Sequence, residues 1–104
     1  MPAIARNGDP TTTGHGCDGT TTVTGPTGAS AQVFANGIAI ECVGNPTAAH
    51  TINGGPRGSC IPHPAVINAG SGNVFVGGIG VARVGDSTDG GAITAGSSNV
   101  FAGG

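Results

Sequence analysis

One five-residue pattern, Val-Phe-x-x-Gly, is written three times in this chain, at Val33 to Gly37, Val74 to Gly78 and Val100 to Gly104. The copies hold all three phenylalanines of a sequence with no Trp and no Tyr. A second pattern also runs three times, as Ala5-Arg6-Asn7-Gly8-Asp9, Glu41-Cys42-Val43-Gly44-Asn45 and Ala82-Arg83-Val84-Gly85-Asp86. Repeats this short cannot bury an apolar face alone, so each must pack on its neighbours. Val33 to Asn45 spans twelve positions, and so does Val74 to Asp86. The third Val-Phe copy sits at the C-terminal end, and the partner it lacks is at the N-terminal end. The set is circularly permuted, which places the two chain ends side by side. Three units closing on themselves make an object with pseudo-threefold symmetry.

Composition sets the material of that object. The 104 residues make one domain with a modest core. There is no Leu and no Lys, and 22 residues are Gly, about three times the usual share of roughly 7%. The longest glycine-free run, Ser59 to Ala69, is broken by Pro62 and Pro64, so a helix of ordinary length has nowhere to form. Short β-branched segments between glycine clusters read as strands and turns. The expected fold is all-β with little or no helix, a small cone or pyramid whose constant strands form the body. The phenylalanines Phe34, Phe75 and Phe101 are expected as core anchors, one per face. Each Gly-Asp or Gly-Asn pair suits a turn, because Gly accepts positive φ and the Asx side chain bonds nearby backbone.

Several function classes drop out. The formal net charge is -2 and the only Lys/Arg cations are Arg6, Arg57 and Arg83, so there is no basic patch for a nucleic acid. No apolar stretch approaches the roughly 20 residues that span a bilayer as a helix. The N-terminal residues lack the features of a signal peptide. Without one, the three cysteines are expected to be reduced thiols, for which metal binding outranks disulfides.

The reactive groups lie between the repeats. The insertions run 24 positions from Asp9 to Val33, 29 from Asn45 to Val74 and 14 from Asp86 to Val100. The first holds His15 and Cys17, and the second holds His50, Cys60 and His63. Counting back from the glycine before the next strand, His63 lies seven before Gly70 and Asp89 seven before Gly96. Cys17 lies eight before Gly25 and His15 ten before it. The loops therefore deliver His15 or Cys17, His63 and Asp89 to equivalent heights, and His50 joins from the start of the second loop. Imidazoles and thiolates around one point make a tetrahedral zinc site the natural expectation. A structural zinc supplies on the order of 10 kcal/mol to a small, weakly cored domain. Cys42 aligns with Arg6 and Arg83, away from the loops, and reads as a packing or surface residue.

These residues resemble the PAAR-repeat family. Its Pro-Ala-Ala-Arg followed by Gly-Asp is present in eroded form at Ala3 to Asp9, Ala39 to Asn45 and Gly80 to Asp86, and its Gly-Ser-x-Asn-Val-Phe-x-x-Gly at Gly70 to Gly78 and Gly96 to Gly104. The likeness covers essentially the whole chain. It implies a cone that caps the trimeric β-helical spike of a contractile injection system, as in type VI secretion or a phage tail baseplate, for membrane piercing. It also implies one structural zinc, typically held by three histidines and one cysteine. Carried over by position, the histidines are His15, His50 and His63. The family cysteine falls where this chain has Asp89, so Cys17 is the first choice for the fourth ligand, then Cys60, then Asp89. The implied partners are the spike, separate effector chains, and transiently a target membrane, with no nucleic acid. The implied location is a virion tail tip, or a spike assembled in the cytoplasm and delivered outside. The alternatives are a zinc-binding repeat module without a spike, or a zinc hydrolase using Asp18 or Asp89 as general base. For a hydrolase the chain looks too small to hold a substrate cleft.

Overall fold

Three backbone hydrogen bonds close a ring at the centre of the molecule. In this computed structural model Ala5 N donates to Ala82 O at 2.9 Å, Glu41 N to Ala5 O at 3.0 Å and Ala82 N to Glu41 O at 2.9 Å. The three residues occupy the same place in the three Gly-Asx repeats, and each is 0% exposed. The structure describes residues 2–26 and 28–103. Met1 and Gly104, the last glycine of the third Val-Phe copy, lie outside them, as does Thr27.

The described residues form ten short strands and two turns of 3-10 helix. The strands are β1 (Pro10–Thr12), β2 (Thr20–Thr22), β3 (Phe34–Ala35), β4 (Ile38–Ala39), β5 (His50–Ile52), β6 (Ile61–His63), β7 (Phe75–Val76), β8 (Ile79–Gly80), β9 (Ser87–Thr88) and β10 (Gly91–Ala92). The 3-10 turns are Gly28–Gln32 and Pro56–Gly58. Strands pair in sequence order as five antiparallel hairpins. No helix among the described residues is long and apolar enough to cross a membrane.

Two hairpins are the Val-Phe repeats. β3 and β4 turn through Asn36 and Gly37, and β7 and β8 through Gly77 and Gly78, all four at positive φ. That is the backbone a two-residue hairpin needs to match strand twist, and it explains why the repeat ends in Gly. The third copy closes across the chain ends: Ala3 bridges Phe101, and Ala102 N donates to Pro2 O at 3.0 Å. The expected adjacency of the termini is therefore present.

The Gly-Asx turns are superposable by their bonding. Gly8, Gly44 and Gly85 have φ of 92°, 91° and 91°. Their N–H groups donate to Val23 O, Ile67 O and Ile93 O at 2.8, 2.9 and 2.8 Å. In two units the aspartate reaches back rather than forward. Asp9 Oδ2 accepts from Arg6 N at 2.7 Å, and Asp86 Oδ2 accepts from Arg83 N at 2.8 Å.

Burial follows the same threefold layering. One apolar layer contains Ile4, Ile40 and Val81 with Ala35 and Ala102, and Val76 packs against it. A second contains Val23, Ile67 and Ile93 with Ala5 and Ala82. The molecule measures 43 × 24 × 23 Å, with the two near-equal short axes expected of a body closed around its long one.

The phenylalanines depart from expectation. Phe34, Phe75 and Phe101 are 59%, 55% and 48% exposed, so they are not core anchors. Strand alternation is the reason: the next residue of each copy, Ala35, Val76 or Ala102, faces the core, which turns the ring outward.

Glu41 stands where the other two units have Ala5 and Ala82. Its Oε2 accepts from Asn45 Nδ2 at 2.8 Å, while the buried Oε1 has no hydrogen-bond partner. Burial pushes this carboxyl up to about 7, against a pull downward from Asn45 and a further push from Asp9. Because the folded pKa is raised, its contribution is most favourable at low pH and is lost as pH rises from the ordinary carboxylate range through about 7. Chemical denaturation across pH should show stability falling in that window by up to about 3 kcal/mol. A Glu41→Gln variant should flatten the slope, and an unchanged slope in that variant would place the titration elsewhere.

Candidate metal centre

The three insertions converge on one point. The Nε2 atoms of His15, His50 and His63 surround the Asp89 carboxylate: His15 and His50 approach Oδ2 at 2.7 and 3.1 Å, and His63 approaches Oδ1 at 3.0 Å. One ligand atom from each of the four lies within 4.8 Å of the others. The imidazole centroids are 5.0–5.3 Å apart.

Each side chain is delivered by identifiable backbone. His50 and His63 are opposite one another in the β5–β6 hairpin, so pairing alone puts both rings together. Asp89 sits at the β9–β10 turn with φ 50°, in the left-handed region that Asp tolerates better than most residues. That turn packs on the first insertion through Gly90 N to Thr13 O at 2.9 Å. A Cβ on Gly14 would collide with the Gly90 carbonyl, so glycine permits the approach. Thr13 Oγ1 donates to Asp18 O at 2.7 Å and shapes the loop that carries His15. Asp18 then fastens that loop to β5, accepting from Thr51 N and Oγ1 at 2.8 and 2.9 Å. Those two bonds hold its carboxyl below the usual range.

The electrostatics are those of a carboxylate enclosed by imidazoles. Burial pushes the Asp89 carboxyl upward, but the bonds from His63, His50 and His15 outweigh it and hold it at about 2. His15 is raised, first by the Gly16 carbonyl at Nδ1 and then, against burial, by Asp89 and Asp18. Acceptors thus face both of its ring nitrogens, and a neutral imidazole has only one N–H. A second proton, or a cation between Nε2 and Asp89, satisfies both sides. For His50 the Ala48 carbonyl lies 2.9 Å from Nδ1, the outer contact that directs Nε2 at an ion.

Three imidazole nitrogens and one carboxylate oxygen suit a tetrahedral divalent ion with bonds of about 2.0–2.1 Å. Drawing the four atoms to roughly 3.4 Å apart around such an ion needs only small side-chain movements. The four residues could therefore hold a metal.

The cysteines do otherwise than expected. Cys17 and Cys60 form a disulfide, with Cα atoms 5.9 Å apart. Neither then offers a thiolate, and the group that stands with the three histidines is Asp89, the third of the expected candidates. The bond joins the first insertion to the second, beside His15 and His63. Cys42 is buried and free, in agreement with a packing role. Sequence reading also left no space for a cleft, yet one of about 330 Å³ lies beside His50 and His63, lined by Pro46, Pro62 and Pro64.

No protein-family model matches this chain, and no curated protein matches it either.

Metal analysis distinguishes the two fourth-ligand schemes. Asp89→Ala and His63→Ala should each lose most bound metal, while Cys17→Ser/Cys60→Ser should keep one ion per chain. The serine pair should still be less stable by roughly 2–4 kcal/mol, because a link across 43 positions no longer restrains the unfolded chain. Loss of metal from the serine pair, or its retention in Asp89→Ala, would reverse the assignment.

Proposed function

We propose that this protein is a metal-stabilised tip that caps the trimeric β-helical spike of a contractile injection apparatus. The observation that carries the reading is the set of threefold-related, exposed Phe34, Phe75 and Phe101. Around them Val33, Ile38, Val74 and Ile79 are also well exposed. The repeat symmetry sets these side chains at one level around the axis, at the hairpin positions rather than in the metal-bearing insertions. An exposed apolar group of this kind marks an interaction surface. A single chain with three equivalent contact points matches the end of a three-chain helix, and covering that end also protects its unpaired strand edges. The PAAR-like motifs support the same partner.

The ion, proposed as one structural zinc, would tie the three insertions together. His15, His50, His63 and Asp89 fill a tetrahedral coordination sphere and leave no position for a reacting water. Their role is to keep three long loops from unravelling under load as the tip meets a membrane. The Cys17–Cys60 link acts in the same direction, and such bonds persist in oxidising surroundings such as those outside a cell.

A zinc hydrolase is the second reading, favoured by the cleft at His50 and His63. It requires a metal-bound water where Asp89 stands, and Asp18 is already engaged with Thr51. Metal-dependent hydrolysis of an activated ester by the purified protein would favour it over the tip.

Co-expression with a trimeric β-helical spike tests the tip directly. The expected complex holds three spike chains per copy of this protein. The triple variant Phe34→Ser, Phe75→Ser, Phe101→Ser should keep its metal but weaken capture by roughly a hundredfold, through the loss of three half-buried rings. Equal capture of the variant, or a wild-type chain that binds no such spike, would count against the proposal.

A further inference from the structure

One of the three units lacks the arginine that the other two carry, and the difference leaves a hole. In two units an arginine forks onto its aspartate. Arg6 Nε and Nη2 donate to Asp9 at 3.0 and 3.1 Å, and Arg83 Nε and Nη2 donate to Asp86 at 2.9 and 3.0 Å. Each guanidinium then reaches outward to the neighbouring units. Arg6 bonds Gly96 O at 3.3 Å and Asn36 Oδ1 at 3.2 Å, and Arg83 bonds Gly70 O at 3.4 Å and Gly103 O at 3.0 Å. In the remaining unit the pair is Cys42 and Asn45, and a thiol cannot span that distance.

A cavity of about 160 Å³ occupies the vacated place, lined by Gly28, Ser30, Cys42, Asn45, Val76, Gly77 and Ile79. Two of its walls correspond to partners of the two arginines, and a third to the serine that follows another partner in the chain. Asn45 replaces Asp9 and Asp86. Gly77, three residues after Val74, replaces Asn36 and Gly103. Ser30, three residues before Val33, replaces Ser71 and Ser97. The volume equals that of a few water molecules at about 30 Å³ each, which is room for a planar head and the end of its stem.

A buried carboxyl, that of Glu41, stands behind the cavity wall and fixes the Asn45 amide. Asn45 Nδ2 donates to Ser30 Oγ at 3.2 Å and to Glu41 Oε2 at 2.8 Å. With its nitrogen so engaged, the Asn45 amide presents its oxygen as the acceptor. Glu41 is fully buried, and its Oε1 lacks a hydrogen-bond partner. Ile79, 49% exposed, borders the cavity in the hairpin next to Phe75.

We propose that this cavity binds a guanidinium group, of the kind an arginine side chain of a docked partner presents. A planar five-donor cation has the shape of the groups that fill this place in the other two units, Arg6 and Arg83, and can bond the Asn45 amide oxygen, whereas a compact ammonium lacks that shape. The site exists in the isolated chain, so it does not depend on the spike reading.

The test uses the whole protein and ethylguanidinium as probe, followed by amide NMR into the tens of millimolar. The Asn45 side-chain amide and the Gly28 and Gly77 backbone amides should move in a saturable way, with ethylammonium weaker by roughly tenfold. N-acetylarginine amide should bind like ethylguanidinium if the natural source is a protein side chain; binding by ethylguanidinium alone would assign the site to small guanidinium compounds. Cys42→Arg/Asn45→Asp should fill the hole from within, raise the melting temperature and abolish the probe's shifts. Cys42→Met, which fills the hole without charge, should also block the probe and serves if the double variant does not fold. Absence of saturable shifts in the wild type, equal response to both cations, or unchanged binding in the filled variants would overturn the proposal.

Discussion

Everything in this molecule hangs on the ring of hydrogen bonds joining Ala5, Glu41 and Ala82. Each bond joins one repeat to the next, so no repeat is complete without the other two. The ring also requires the chain ends to meet, since Ala3 must pair with Phe101 to finish the third hairpin. Alanine at two of its three places lets the chain segments approach closely, and the apolar layers of Ile4, Ile40 and Val81 and of Val23, Ile67 and Ile93 pack around it. With no Leu, and strands of two or three residues, long-range closure does the work that sheet length does in larger β-proteins. The same closure leaves the insertions free to vary in length, because their two ends are held close together.

Variable loops are entropically expensive to order, and the protein restrains them chemically. The Cys17–Cys60 bond ties the first insertion to the second, Gly90 ties the third to the first, and Asp18 ties the first to β5. These contacts bring three imidazoles against one carboxylate. A cluster of this composition could hold a cation in place of the protons. With an ion bound there, folding and metal affinity would be linked, and acid would weaken the ion's hold by protonating the imidazoles.

Much of this was legible in the sequence. The triplicated Val-Phe-x-x-Gly and Gly-Asx patterns carried the all-β threefold closure, because glycine at a positive-φ turn leaves a fixed spacing. Counting from those glycines also put His63 and Asp89 at the same height. What misled was chemistry that spacing does not encode. Cys17 and Cys60 are 43 positions apart, and only the folded loops reveal that they meet, so thiolate softness was weighed for atoms that are spent on each other. Phenylalanine is usually buried, but at these hairpins alternation gives the inward place to Ala35, Val76 and Ala102. Glu41 and Cys42 read as simple erosion of a repeat. Their significance, a buried carboxyl and a vacated arginine site, appears only when the three units are compared in space.

The central claim is that the three insertions meet at one ion through His15, His50, His63 and Asp89. X-ray absorption at the metal edge of the purified protein measures that sphere directly. The account predicts four nitrogen or oxygen neighbours at about 2.0–2.1 Å, with the multiple-scattering pattern of three imidazoles. A sulfur neighbour at about 2.3 Å would contradict it and return the fourth place to a cysteine.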